Sequence, residues 1–188
     1  MMNQETGNMT GKISTARLAK MAMLVAISIV LVAIIHFPIF PAVPFLEYDP
    51  ADIPILIGTF AFGPVAGVLL TAVTAIIQGL TVSSASGIYG ILMHIIATSA
   101  LVITAGLIYK FNKTRKGAVI GLLCGIVAMT VVMIGANLII TPVFMGVTRD
   151  VVWGLMPFIA AFNAIKAGIN SIVTFLVYKR ISAFLHRQ

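Results

Sequence analysis

The sequence predicts an all-α integral membrane protein of six transmembrane helices, with both termini in the cytoplasm. Three observations carry that expectation. First, 60% of the 188 residues are hydrophobic and only 9% are charged, whereas a soluble domain carries about 25% charged residues. Second, several apolar runs match the roughly 20 residues that a helix needs to cross a bilayer. Third, the cations gather beside those runs, at both ends of the chain and in residues 110–116, as the positive-inside bias requires of cytoplasmic segments. The net charge of +7 therefore reports orientation in a lipid bilayer, and no nucleic-acid partner is expected. With no long polar segment, residues 1–188 read as a single transmembrane domain. About residues 1–17 form a cytoplasmic N-terminal tail, retained rather than cleaved.

The elements follow in order. The first span covers residues 18–37 and ends at a proline-rich stretch, with Pro38, Pro41 and Pro44, that cannot continue a helix. The chain then turns acidic: Glu47, Asp49 and Asp52 supply three of the five acidic residues within six positions. Residues 53–62 are apolar but short and close at Gly63-Pro64. Residues 65–80 form another apolar run, so the two runs read as one broken helix or as two helices joined by a tight turn. The small polar segment 81–87 is a loop signal. Residues 88–109 make a full span, 110–116 a basic hinge, and 118–141 a span stopped by Pro142. A mixed loop, 144–153, leads to the last span, 155–178. Charge then sets the parity. Cytoplasmic Lys12, Arg17 and Lys20, a cytoplasmic hinge and a cytoplasmic C-terminus require even numbers of crossings between them, giving four and then two. The run 53–62 is short for a crossing, and a tilted or re-entrant segment is the other reading.

This parity sends the acidic loop, the 81–87 loop and the 142–153 loop to the outside. The same side receives the most informative polar group, Lys166, a cation inside an apolar span. Such a charge costs about 2.5–3.5 kcal/mol at a helix centre on insertion scales, and it normally faces a bundle interior or polar cavity with a partner. Asn163 and Asn170 share its helical face. Two readings stand for this stripe: helix glue, or a site where Lys166 and Asn163 offer donors to a polar ligand. Asn170, lying deeper, reads as glue. Asn137 near Thr141 has the same two readings. Glu47, Tyr48 and Asp49 read as a solvated turn or as a lid, with Tyr48 able to stack on a planar ring and either acid able to partner a hydroxyl or Lys166. Asp52, followed by Ile53-Pro54, reads as an N-cap. Gln78 and His94 read as packed residues, and the lone Cys124 as a small buried core residue.

In the first span Ala22 and Ala26 stand four apart, a small-residue face on which another helix packs closely, within this bundle or on a partner subunit. No Walker GxxxxGK[ST], HExxH or GxSxG pattern occurs, and no carboxylate pair or His cluster lies within the spans. An enzyme is not expected, nor a cofactor or a metal.

Taken together, these residues resemble the substrate-binding S-components of energy-coupling factor (ECF) vitamin transporters, and within them the riboflavin-specific group. The resemblance rests on Ala22 and Ala26 in the first helix, the stretch from Phe45 through Glu47-Tyr48-Asp49 to Asp52 and Pro54, Asn137 with Thr141-Pro142, and Phe162-Asn163 with Lys166. The resemblance implies an S-component-like bundle in a prokaryotic plasma membrane that captures riboflavin from outside. It implies docking through Ala22 and Ala26 onto a transmembrane coupling protein, with two cytosolic ATPases driving uptake. Asn137, Asn163 and Lys166 would hold the ligand's edge or hydroxyls, under a cap at Glu47–Asp49. The competing readings are an S-component for another vitamin or for flavin mononucleotide, and an integral-membrane enzyme using Glu47, Asp49 or Lys166 as acid or base.

Overall fold

The computed structural model describes residues 14–186, with side chains described up to Tyr178. Residues 1–13 of the expected tail, with Lys12, and the side chains of Lys179, Arg180, His186 and Arg187 lie outside the described residues. Six α-helices follow in order: α1 (Thr15–Ile34), α2 (Asp52–Phe62), α3 (Pro64–Leu80), α4 (Gly87–Phe111), α5 (Arg115–Met145) and α6 (Arg149–His186). The helices α1, α4, α5 and α6 are long and apolar enough to cross a membrane, whereas α2 and α3 are shorter. Between α1 and α2 the chain makes a small antiparallel ribbon, β1 (Phe37–Pro38) with β2 (Glu47–Tyr48).

Local chemistry accounts for the boundaries. Ser14 caps α1, its hydroxyl accepting from Arg17 N, and Thr114 caps α5 in the same way through Gly117 N. Gly63 separates α2 from α3. Its φ of +95° lies where a side chain is strained, and Pro64 then opens α3 at a position that needs no N–H. The two runs are thus two helices joined by a tight turn. Arg17 seals that turn by donating to Phe62 O at 3.0 Å, a cation at a helix C-terminus.

Some boundaries differ from expectation. α5 runs through Pro142 to Met145, and α6 begins at Arg149, so the expected loop at 144–153 shrinks to a short turn closed by Gly146. Proline removes only one backbone donor, and a long membrane helix tolerates it. Cys124 is exposed on α5. A helix in lipid is apolar all round, so hydrophobicity does not report which face is inward.

The core forms around α2. Its residues from Pro54 to Phe60 are buried, enclosed by α1, α3, α4 and α6. Close approach rests on small residues. A Cβ on Gly121 would lie 2.9 Å from Ala105 O, and one on Gly125 would lie 3.0 Å from Leu101 O, so α5 packs on α4 nearly backbone to backbone. A second apolar cluster joins Val43 of the proline-rich loop to Val152, Met156 and Ile159 of α6. It ties the loop over one end of the bundle.

Candidate functional site

That loop does more than cover the bundle. Residues 47–51 dip into it and meet the polar stripe of α6. Lys166 Nζ lies 2.7 Å from Asp49 Oδ2, and both groups are buried, at 7% and 4% exposure. Asp49 Oδ1 accepts from Ala51 N at 3.0 Å, a local turn that aims the other oxygen at the lysine. The Lys166 charge and N–H offset the cost of burying the Asp49 carboxylate.

One turn deeper, Asn170 ties three groups together. Its amide donates to Asp49 O at 3.1 Å and to Asp52 Oδ2 at 3.2 Å, and its Oδ1 accepts from Tyr48 Oη at 3.0 Å. Asp52 is the first residue of α2, not its cap. Fully buried, it accepts from Thr98 Oγ1 at 2.7 Å, and His94 Nε2 stands 3.8 Å away. The cap reading of Asp52 fails because the helix begins inside the bundle, where a carboxylate needs side-chain partners rather than water. Asn170 does act as glue.

Beside this network lies a cavity with about 770 Å³ of empty space, counting its open mouth. The loop contributes Phe45, Glu47 and Asp49, and α3 contributes Gln78. His94 and Thr98 come from α4, Met129 and Met133 from α5, and Phe162, Asn163 and Lys166 from α6. Asn163 donates to Ile159 O at 2.8 Å and makes no other hydrogen bond among the described residues. An apolar wall with a few fixed polar groups is the usual constitution of a small-molecule site.

Of the residues expected at a site, Asp49, Asn163 and Lys166 line this cavity. Glu47 is at its rim. Tyr48 is not on the wall; its ring packs on Phe37 with centroids 5.4 Å apart. Asn137 is fully buried behind the wall, donating to Met133 O and accepting from Thr141 Oγ1, each at 2.8 Å. Ala22 and Ala26 are exposed on the outer face of α1, away from the site. Sequence reasoning missed Gln78, His94 and Thr98 as parts of the wall. The signal was present, since each is a polar group inside an apolar helix, but its partners lie far along the chain.

The family model for "ECF transporter, substrate-specific component" matches residues 16–178. The chain belongs to that family. It is a transport component and not an enzyme, and its bundle is an ECF S-component fold. A solved structure described as the S component of a bacterial ECF transporter superposes with a TM-score of 0.78 at 35% identity, covering 91% of this chain and 98% of the other. The riboflavin transporter RibU of Staphylococcus aureus (strain TCH60) is 33% identical over 182 residues, 91% of this chain and 93% of that protein. The riboflavin transporter FmnP of Bacillus subtilis (strain 168) is 27% identical over 186 residues, 92% of this chain and 95% of that protein.

Proposed function

We propose that this S-component binds riboflavin from outside the cell and passes it to an ECF-type importer. The carrying observation is the cavity beside the Lys166–Asp49 pair, with its apolar wall and few placed hydrogen-bonding groups. A flavin is flat and largely apolar, with hydrogen-bonding edges and a polyhydroxyl tail. Phe45, Met129, Met133 and Phe162 suit the ring, and Asn163 and Lys166 suit the polar atoms. Glu47 and Asp49 belong to the segment that caps the site, while Tyr48 and Asn137 set the positions of its wall. The relatives bearing the name riboflavin transporter support this choice over another vitamin. The neutral Lys166–Asp49 pair favours riboflavin over a phosphorylated flavin.

The proposed topology is six crossings with both termini in the cytoplasm of a prokaryotic plasma membrane. At about 1.5 Å per residue, the 11 residues of α2 span only about half the hydrocarbon core. Residues 47–51 extend its crossing inward from the outside. Their backbone is satisfied within the protein, where Ser28 Oγ donates to Ala51 O at 3.1 Å and Asn170 to Asp49 O, as irregular chain at membrane depth requires. The cations of residues 110–116 lie at the far end of α4 from the cavity. Ala22 and Ala26, exposed on α1, form the docking face for the transmembrane coupling protein, which carries two cytosolic ATPases.

Titration of the purified protein with riboflavin, followed by quenching of flavin fluorescence, tests the reading. Saturable one-site binding is expected. Absence of quenching, with binding of another vitamin, would replace it.

A further inference from the structure

The end of the bundle away from the cavity carries charge that the rest of the fold does not answer. Lys110, Lys113, Arg115 and Lys116 stand within seven positions, and all four are exposed. Among the described residues no hydrogen bond or ion pair reaches their side chains. The described carboxylates lie elsewhere: Glu47, Asp49 and Asp52 at the inward loop and Asp150 at the start of α6.

The turn that bears these cations is fixed. Asn112 N donates to Ile108 O at 3.1 Å and Thr114 N to Asn112 O at 2.8 Å. Thr114 Oγ1 donates to Asn112 Oδ1 at 2.9 Å and accepts from Gly117 N at 3.0 Å. A Cβ on Gly117 would run into Asn112 O, so only glycine permits this close return of the chain. Arg115 and Lys116 thus start α5 from a rigid frame. With Val119 and Ile120 they line a shallow recess of about 520 Å³ of empty space, counting its open side. Arg115 and Val119 stand four apart, as do Lys116 and Ile120, so each cation shares a helical face with an apolar side chain. Exposed Leu123, Val127 and Val131 continue that face along α5.

Orientation in a bilayer requires cations at this end, but it does not require an apolar recess shared with two of them. Inorganic phosphate or an acidic peptide would engage the charges and leave the apolar strip unused. An amphipathic anion uses both halves. We propose that this recess binds an anionic phospholipid such as phosphatidylglycerol. Its phosphodiester sits between Arg115 and Lys116, and an acyl chain lies along Val119, Ile120 and Leu123. Guanidinium and ammonium groups are strong donors to phosphate oxygens, and basic segments beside a membrane helix attract anionic headgroups. The site is independent of which ligand fills the cavity.

Native mass spectrometry of the purified full chain in detergent, titrated with phosphatidylglycerol or phosphatidylcholine of the same acyl chains, tests this. Wild-type protein is expected to bind phosphatidylglycerol roughly tenfold or more tightly. In Arg115→Gln with Lys116→Gln the preference is expected to fall below about threefold. Lys110→Gln with Lys113→Gln removes equal charge outside the recess and is expected to stay within about twofold of wild type. Equal falls in the two double variants would mean attraction to the whole cluster and would overturn the site, as would a wild-type protein without preference. Val119→Ser with Ile120→Ser keeps both cations and is expected to weaken phosphatidylglycerol binding about fivefold or more. Unchanged binding there, or displacement of the lipid by millimolar inorganic phosphate, would mean a site for the headgroup alone and would overturn the lipid assignment. Thermal melts report whether each variant is folded. If the Arg115 and Lys116 double variant is not, Arg115→Gln alone is read by the same ratio.

Discussion

Lys166 and Asp49 lie 117 positions apart in the chain and 2.7 Å apart in the fold. The pair joins the loop that enters the bundle to the polar face of α6, and it forms one wall of the cavity. A loop residue thus neutralises a charge that the helix could not otherwise hold in an apolar layer.

Breaking this pair from one side leaves a buried charge uncompensated. Lys166→Met is expected to destabilise the protein by about 3–5 kcal/mol. The double variant Lys166→Met with Asp49→Asn is expected to recover part of that loss. Thermal unfolding in detergent measures both, and a double variant no better than the single one would refute the pairing as the cause.

Asn163 faces the cavity without linking elements. Asn163→Ala is expected to weaken riboflavin binding by about 1–3 kcal/mol while leaving the unfolding temperature near that of wild type. Fluorescence titration and a thermal melt separate the two effects. Wild-type affinity in this variant would remove Asn163 from the site.

The docking face predicts a separation of functions. Ala22→Trp adds bulk on the exposed side of α1, far from the cavity. Riboflavin binding by the isolated protein is expected to be unchanged, and uptake by the assembled transporter to be abolished. Normal uptake would refute the face.

The packing of α4 on α5 predicts a further cost. A Cβ on Gly121 would crowd Ala105 O, a backbone atom with no rotamer to escape into. Gly121→Val is expected to lower stability by about 1–3 kcal/mol, the usual penalty of overpacking. A melt equal to wild type would show that the helices separate freely.

Composition, run length and the placement of cations suffice to read a helical membrane protein, and five of the expected helices lie close to their predicted spans. Their ends were less legible. Pro142 read as a stop, yet α5 passes through it, because the loss of one backbone donor is a local matter that the rest of a long helix outweighs. Cys124 read as buried, yet it faces outward, because lipid accepts the same side chains as the core. Lys166 with Asn163 pointed to the cavity wall that both line, since a cation and an amide on one face of an apolar helix must find polar surroundings. Asp52, Gln78 and His94 each carried a polar signal that one chain position cannot interpret.

The order of residues alone says which segments prefer lipid and which side chains are too polar to be left there, because transfer energies belong to single residues and add along a run. Which polar groups meet is settled by the packed bundle. Contact between Asp49 and Lys166, or between Asp52 and Thr98, depends on how six helices and one inward loop pack, and that arrangement comes from steric fit between distant surfaces such as Gly121 and Ala105. The cavity is a product of that packing.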